Sequence, residues 1–209
     1  MKIAVICANG KAGKLIVKEA VNRGLDVTAV VRTDNTTAAQ KVLKKDLFDL
    51  TAADLKSFDV VIDAFGAWTE DTLPQHSSSL KHLCDILSGS DIRLLVVGGA
   101  GSLYVNPEHT VCVADGPDFP DIFKPLAAAM AKALGELRER KDVKWTYISP
   151  AGDFQADGER TGKYILGGEE LTLNSKGESV ISYADYAIAM VDEAANGNNI
   201  QKRISVVGE

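Results

Sequence analysis

The sequence predicts an α/β fold built on a doubly wound parallel sheet, and three features carry that prediction. Short β-branched, apolar runs alternate with longer amphipathic stretches from residue 1 to about residue 150. Those runs are apolar at nearly every position, as strands buried on both faces are. The first run breaks at Cys7 into a short turn with two glycines and resumes as a helix.

Each element has its own signal. Lys2–Ile6, Val27–Val31, Val60–Phe65, Ile92–Val97 and Trp145–Ile148 read as buried strands. Ala12–Arg23 sets Leu15, Ile16, Ala20 and Val21 at helical spacing and stops at Gly24, and Leu73–Leu87 and Leu126–Arg140 give further helices. A weaker strand at Lys41–Lys44 would complete the first half of the sheet, although its lysines blunt the signal. Beyond Pro150, Gly152, Gly158, Gly162, Gly167 and Gly168 punctuate a stretch with one expected hairpin, followed by a helix at Tyr183–Ala195 and a strand at Arg203–Val207. Such a tail is too small for its own core. Residues 1–209 are therefore expected to form one domain, with 151–209 a small cap on the C-terminal edge of the main sheet.

The chain is 45% hydrophobic and 25% charged, the balance of a folded soluble protein. A net charge of −6 argues against a nucleic-acid surface, which needs a basic stripe. No apolar run reaches the roughly 18 residues of a membrane span, and the N-terminus lacks a signal-peptide pattern. Neither a membrane nor a nucleic acid is expected as partner, and the expected location is cytoplasmic. Cys7, Cys84 and Cys112 stand far apart without a companion histidine at ligand spacing, so they read as free thiols and no metal is expected.

The turn itself, Cys7-Ala8-Asn9-Gly10-Lys11-Ala12-Gly13, has the form that holds a pyrophosphate in a βαβ unit. Gly10 allows the backbone to approach the ligand, Gly13 lets the helix pack closely on the strand, and the helix N-terminus offers unpaired N–H groups and a positive dipole end. A tight turn without a ligand is the plainer reading. Cys7 stands where a first glycine is usual, and it is expected to fit by keeping φ negative.

Four stretches then make the sequence resemble a known family: Ala8-Asn9-Gly10-Lys11-Ala12-Gly13, Val30-Val31-Arg32, Gly98-Gly99-Ala100-Gly101-Ser102-Leu103 and Gly158-Glu159-Arg160-Thr161-Gly162-Lys163-Tyr164. Over essentially the whole chain it resembles atypical short-chain dehydrogenase/reductases, in the NAD(P)H-flavin reductase branch related to biliverdin reductase B and the NmrA-like proteins. Cys7 and Asn9 depart from the Gly-Ala-Thr-Gly usual there. The resemblance implies a Rossmann-like fold, a nicotinamide cofactor and oxidoreductase activity.

An acid about 20 residues beyond such a turn grips the ribose of NAD, whereas an arginine accommodates the 2′-phosphate of NADP. Val30-Val31-Arg32-Thr33-Asp34 puts Arg32 first and Lys11 adds a second positive charge, so NADPH is favoured, while Asp34 leaves NADH open. Asp46 and Leu47 fall where related folds set an acid and an apolar residue against adenine, although Asp46 reads equally well as a turn cap. Ala64, Phe65 and Gly66 end the fourth strand at the switch point, and Phe65 also fits the core. Gly98 and Gly99 follow the fifth strand, while Pro150 and Ala151 fall where the family's backbone meets the carboxamide or simply end the sixth.

Carbonyl reduction in short-chain dehydrogenases uses a tyrosine with a lysine four positions later. Here Tyr104, Tyr147, Tyr164, Tyr183 and Tyr186 are followed at that distance by Glu108, Ala151, Gly168, Ala187 and Met190. That route is not expected. A flavin, by contrast, takes hydride directly at N5 and asks mainly for proximity and orientation. The expected function is therefore NAD(P)H-dependent hydride transfer to a free flavin (FMN, FAD or riboflavin) or a similar flat small-molecule acceptor. The alternative is a non-catalytic NAD(P)(H)-binding redox sensor of the NmrA-like type. Ser102 is the candidate catalytic hydroxyl, bonding nicotinamide or acceptor, or else a cap. Trp68 and Tyr104 would wall a flat acceptor, or are idle loop aromatics. A monomer and a homodimer both fit.

Overall fold

In the computed structural model, which describes residues 1–209, the elements run β1 (Lys2–Ile6), α1 (Lys11–Asn22), β2 (Asp26–Val31), β3 (Lys41–Lys44), α2 (Ala52–Leu55), β4 (Val60–Asp63), α3 (Gln75–Leu87), β5 (Arg93–Val97), α4 (Lys124–Arg138) and β6 (Lys144–Ser149). The tail adds β7 (Asp153–Gln155), β8 (Tyr164–Gly167), β9 (Val180–Ser182), α5 (Tyr183–Asn196) and β10 (Lys202–Gly208). Eight strands form one sheet in the order β3-β2-β1-β4-β5-β6-β10-β8. Every pairing is parallel except that of β8 with β10. This is the doubly wound parallel sheet the sequence predicts.

Strand alternation sorts the apolar residues to two covered faces. Ile3 and Val5 of β1 and Ile62 of β4 pack with α1 and α5, whereas Ala4, Ile6 and Val61 pack with α3 and α4. With both faces covered, the strands read as unbroken apolar runs. On α1 the buried stripe is Gly13, Ile16, Val17 and Ala20, and truncating Ile16 to alanine would cost roughly 2–5 kcal/mol. Gly24, at φ +72°, ends the turn after that helix in a conformation glycine adopts freely.

The lysine-bearing segment is a true strand at the sheet edge, where Lys41 Nζ pairs with Asp26 at 2.7 Å and Lys44 Nζ with Asp34 at 2.8 Å. The tail differs from expectation. β7 pairs in parallel with β9, and β8 pairs antiparallel with β10, so the expected hairpin is absent. Nor do residues 151–209 only cap an edge. β10 lies between β6 and β8 in the main sheet, and α5 covers one of its faces beside α1. The glycine spacing marked the turns, but the backbone partners come from strands distant in sequence.

Candidate functional site

Strands β1, β2, β4, β5 and β6 all end on one edge of the sheet, with β1 beside β4 at the point where strand order reverses. The turn after β1 closes through the Gly10 N–H, which donates to the Cys7 carbonyl at 2.9 Å. A Cβ on Gly13 would lie 2.8 Å from that same carbonyl and 2.9 Å from the Ala8 Cα, so only glycine lets the helix sit this close to the strand. No side chain caps α1, and its first turn has no acid. Its first N–H groups are thus left for a ligand, beside the positive end of the helix dipole. Lys11 and Gly10 are exposed, and Ala12 is half-buried. These residues fit the pyrophosphate of a dinucleotide.

Cys7 requires a correction: its φ is +57°, not negative. The chain reverses direction at this residue, which forces the left-handed conformation on a residue with a Cβ. Its half-buried side chain packs against the core on the α3 and α4 side. Burial, with a smaller contribution from the charge of Asp63, pushes its thiol up to about 12. Cys7 is a packing group, not a nucleophile.

Beside the turn runs the loop after β2. The Asn9 Nδ2 donates to the Asp34 carbonyl at 2.9 Å and to Thr33 Oγ1 at 3.3 Å, while its Oδ1 accepts from the Thr36 N–H and hydroxyl, both at 2.9 Å. The Arg32 side chain is 77% exposed, with Asp46 Oδ2 3.6 Å away. Asp34 is paired with Lys44. Asp46 takes its second reading, accepting from the Phe48 N–H at 2.9 Å as the cap of a short 3₁₀ turn. Leu47 is buried in the core on the α3 and α4 side.

At the end of β4, Gly66 is exposed and Ala64 and Phe65 are half-buried. The residue before them was not singled out from the sequence. Asp63 is 3% exposed and accepts the Phe65 N–H at 3.0 Å, and burial raises its carboxyl to about 6. It lines a cavity of about 10 Å³ together with Phe65, His76, Ser79, Val96 and Tyr147. His76 Nε2 bonds the Ala67 carbonyl at 3.1 Å, and burial holds its pKa below the usual range. The available signal was an acid closing an otherwise apolar run.

Past β5 the glycines face inward. A Cβ on Gly98 would lie 2.3 Å from the Tyr147 ring, and the Gly99 N–H donates to the Tyr147 hydroxyl at 3.2 Å. Ser102 is held by Arg203, whose Nη1 donates to its carbonyl at 3.1 Å and its Oγ at 3.3 Å. The Arg203 side chain is fully buried, and Glu169 accepts both from its Nε at 2.8 Å and from Arg138 Nη2 at 2.6 Å. Sequence reading missed this charged cluster entirely. Tyr104 is stacked on His109 at 4.5 Å with Arg203 5.6 Å from its ring centre, whereas Trp68 is 70% exposed. Pro150 and Ala151 are buried, and the hydroxyl of Ser149, the last residue of β6, has no hydrogen-bond partner.

No group of three or more His, Cys, Asp or Glu side chains is placed to hold a metal ion, and no helix is long and apolar enough to cross a membrane. A family model described as NAD(P)H-binding matches residues 7–196. YwnB of Bacillus subtilis is 44% identical over 212 residues, covering 100% of this chain and 99% of its own length. A crystal structure from Streptococcus pneumoniae TIGR4, named "a putative NADH-flavin reductase", is 56% identical with a TM-score of 0.98, each chain covering 100% of the other. A "putative epimerase" from Bacteroides thetaiotaomicron is 33% identical with a TM-score of 0.86, covering 99% of this chain and 96% of its own.

Proposed function

The chain belongs to the NAD(P)H-binding family, and on that premise we propose that it is an oxidoreductase passing hydride from NADPH to a free flavin or a similar flat acceptor. The observation that carries the reading is the engagement of its tyrosines. Tyr147 and Tyr186 are buried, with hydroxyls on the Gly99 N–H and the Ile148 carbonyl; Tyr164 donates to Asp192 at 2.8 Å. Tyr104 is stacked on His109, and the Tyr183 ring packs at a tilt of 33° against Phe154. None is followed by the lysine that would lower its pKa. An acceptor that needs no phenolic acid suits this edge of the sheet.

A reduced nicotinamide dinucleotide, when bound with its pyrophosphate at the turn, would supply the hydride. The chain's part is to hold and orient. The Gly10–Gly13 turn and the α1 N-terminus take the pyrophosphate; Arg32 and Lys11 face the 2′-phosphate; Gly98, Gly99, Pro150 and Ala151 shape the nicotinamide end. Ser102, kept in place by Arg203, offers its hydroxyl to nicotinamide or acceptor. NADPH is favoured over NADH because Arg32 directly follows β2 with an exposed side chain held only loosely, 3.6 Å from Asp46, whereas the rival acid, Asp34, lies two residues further on and is paired with Lys44 at 2.8 Å.

Titration of purified protein with NADPH and NADH, followed by absorbance at the reduced-nicotinamide band after adding FMN or riboflavin, tests this. Tighter NADPH binding with flavin-dependent oxidation is expected. Binding without turnover across several flat acceptors would replace the reductase with the redox-sensor reading. Arg32→Ala should weaken NADPH more than NADH, and equal losses would remove the 2′-phosphate assignment.

A further inference from the structure

We propose that Asn9 is a specificity-determining positioning residue, whose side-chain amide fixes the 33–36 loop against the phosphate turn and so sets the preference for a 2′-phosphate. The inference rests on the NADPH reading of Arg32 and extends it to a residue that acts through the loop.

From Thr33 to Ala39 the backbone makes no hydrogen bond to other backbone groups. The segment is held by side chains alone. Asn35 and Thr37 bond within it: Asn35 Nδ2 donates to the Ala39 carbonyl at 3.0 Å, and the Thr37 N–H donates to Asn35 Oδ1 at 3.0 Å. From outside, Lys44 takes the exposed Asp34 carboxylate, a pair that salt and solvent screen. Asn9 alone reaches the loop backbone from the turn, through the Asp34 carbonyl and the Thr36 N–H.

Those two contacts also fix the orientation of the amide. Flipping it would set Nδ2 against the Thr36 N–H and Oδ1 against the Asp34 carbonyl, like against like at both ends. With two bonds donated and two accepted, the side chain has no capacity left for a phosphate. Its influence on the cofactor must pass through the loop. The pyrophosphate is met by backbone N–H groups of the turn and helix, which do not depend on the loop. The 2′ position is met by Arg32, the first residue after β2, whose exposed side chain is restrained only by a long, solvent-screened pair with Asp46 at 3.6 Å. Releasing the loop therefore adds an ordering cost to the 2′-phosphate contact and spares the contacts that NADH shares.

Affinities of NADPH and NADH for the wild type, Asn9→Ala, Arg32→Ala and the double variant test this by calorimetry. Asn9→Ala is expected to lose about tenfold in NADPH affinity and less than about threefold in NADH affinity. In the Arg32→Ala background the same change should leave the NADPH:NADH ratio unaltered. Asn9→Asp, which keeps the bonds to Thr36 but loses the one to the Asp34 carbonyl and adds a negative charge, should be more selective still against NADPH. Hydrogen exchange gives an independent readout: the Thr36 amide should exchange faster in Asn9→Ala, with the exchange of α1 unchanged. A ratio that survives Asn9→Ala, or falls equally in the Arg32→Ala background, overturns the inference and leaves the NADPH reading standing. A wild type that does not prefer NADPH overturns both.

Discussion

At the glycine turn two loops are joined by a neutral amide near the surface, whereas past β5 the joining is done by a buried arginine, a glutamate and a ring packed on glycine. The first arrangement keeps N–H groups and a cation exposed for a ligand. The second spends its donors and acceptors within the protein. The glycine turn therefore ought to govern cofactor affinity with little effect on stability, whereas changes at the Gly98–Ser102 end ought to cost stability first.

Arg203→Ala should have the largest effect. It leaves Glu169 with only Arg138 and frees the loop of Ser102, so a loss of about 3–4 kcal/mol is expected in denaturant unfolding. A loss under about 1 kcal/mol would mean the cluster is not structural. Gly98→Ala follows, at about 3 kcal/mol, because its Cβ would enter the Tyr147 ring. The matched change at the other end, Gly10→Ala, meets only the Cys7 carbonyl at 3.2 Å and should weaken nucleotide binding far more than it lowers the unfolding midpoint. If both glycine changes prove equally destabilising, the contrast between the ends fails.

Asp63 lies between them and gives a pH test. Its folded value of about 6 exceeds the ordinary 3.8, so the native state holds the proton longer than the unfolded chain does. Its contribution to stability is fully present below about pH 4, declines as pH rises through about 6, and becomes a steady penalty above. Asp63→Asn should therefore stabilise the protein by about 3 kcal/mol at pH 7.5 and by almost nothing at pH 4. Equal melting shifts at the two pH values would show that the carboxyl is not the cause. Smaller again is Cys7→Gly, which relieves the positive φ and should add up to about 1 kcal/mol, with nucleotide affinity retained. Ser149→Ala should change unfolding free energy least, as a gain of about 0.5 kcal/mol, since its buried hydroxyl has no partner to lose and its desolvation cost is removed.

What the sequence made legible follows the same division. The sheet could be read because parallel strands buried on both faces are continuous apolar runs, and the turn because Cys7–Gly13 is contiguous. Arg203, Glu169 and Ser102 meet across separations of 34 and 101 residues, which no spacing rule links. Gly98 was legible as a glycine but not in its purpose, since the ring it accommodates belongs to a neighbouring strand. The role of Asn9 was hidden likewise, because its partners lie 24 to 27 residues away.

The lysines that made β3 hard to recognise also act on its outer side. Its unpaired edge is where the strand of another molecule could add on. Anything approaching it meets Lys41 and Lys44, each already neutralised by an acid of its own chain, Asp26 and Asp34. Docking a strand there would strip water from both ion pairs and crowd two long side chains. The poorest strand signal in the sequence thus marks the place where the sheet is kept from growing into its neighbour.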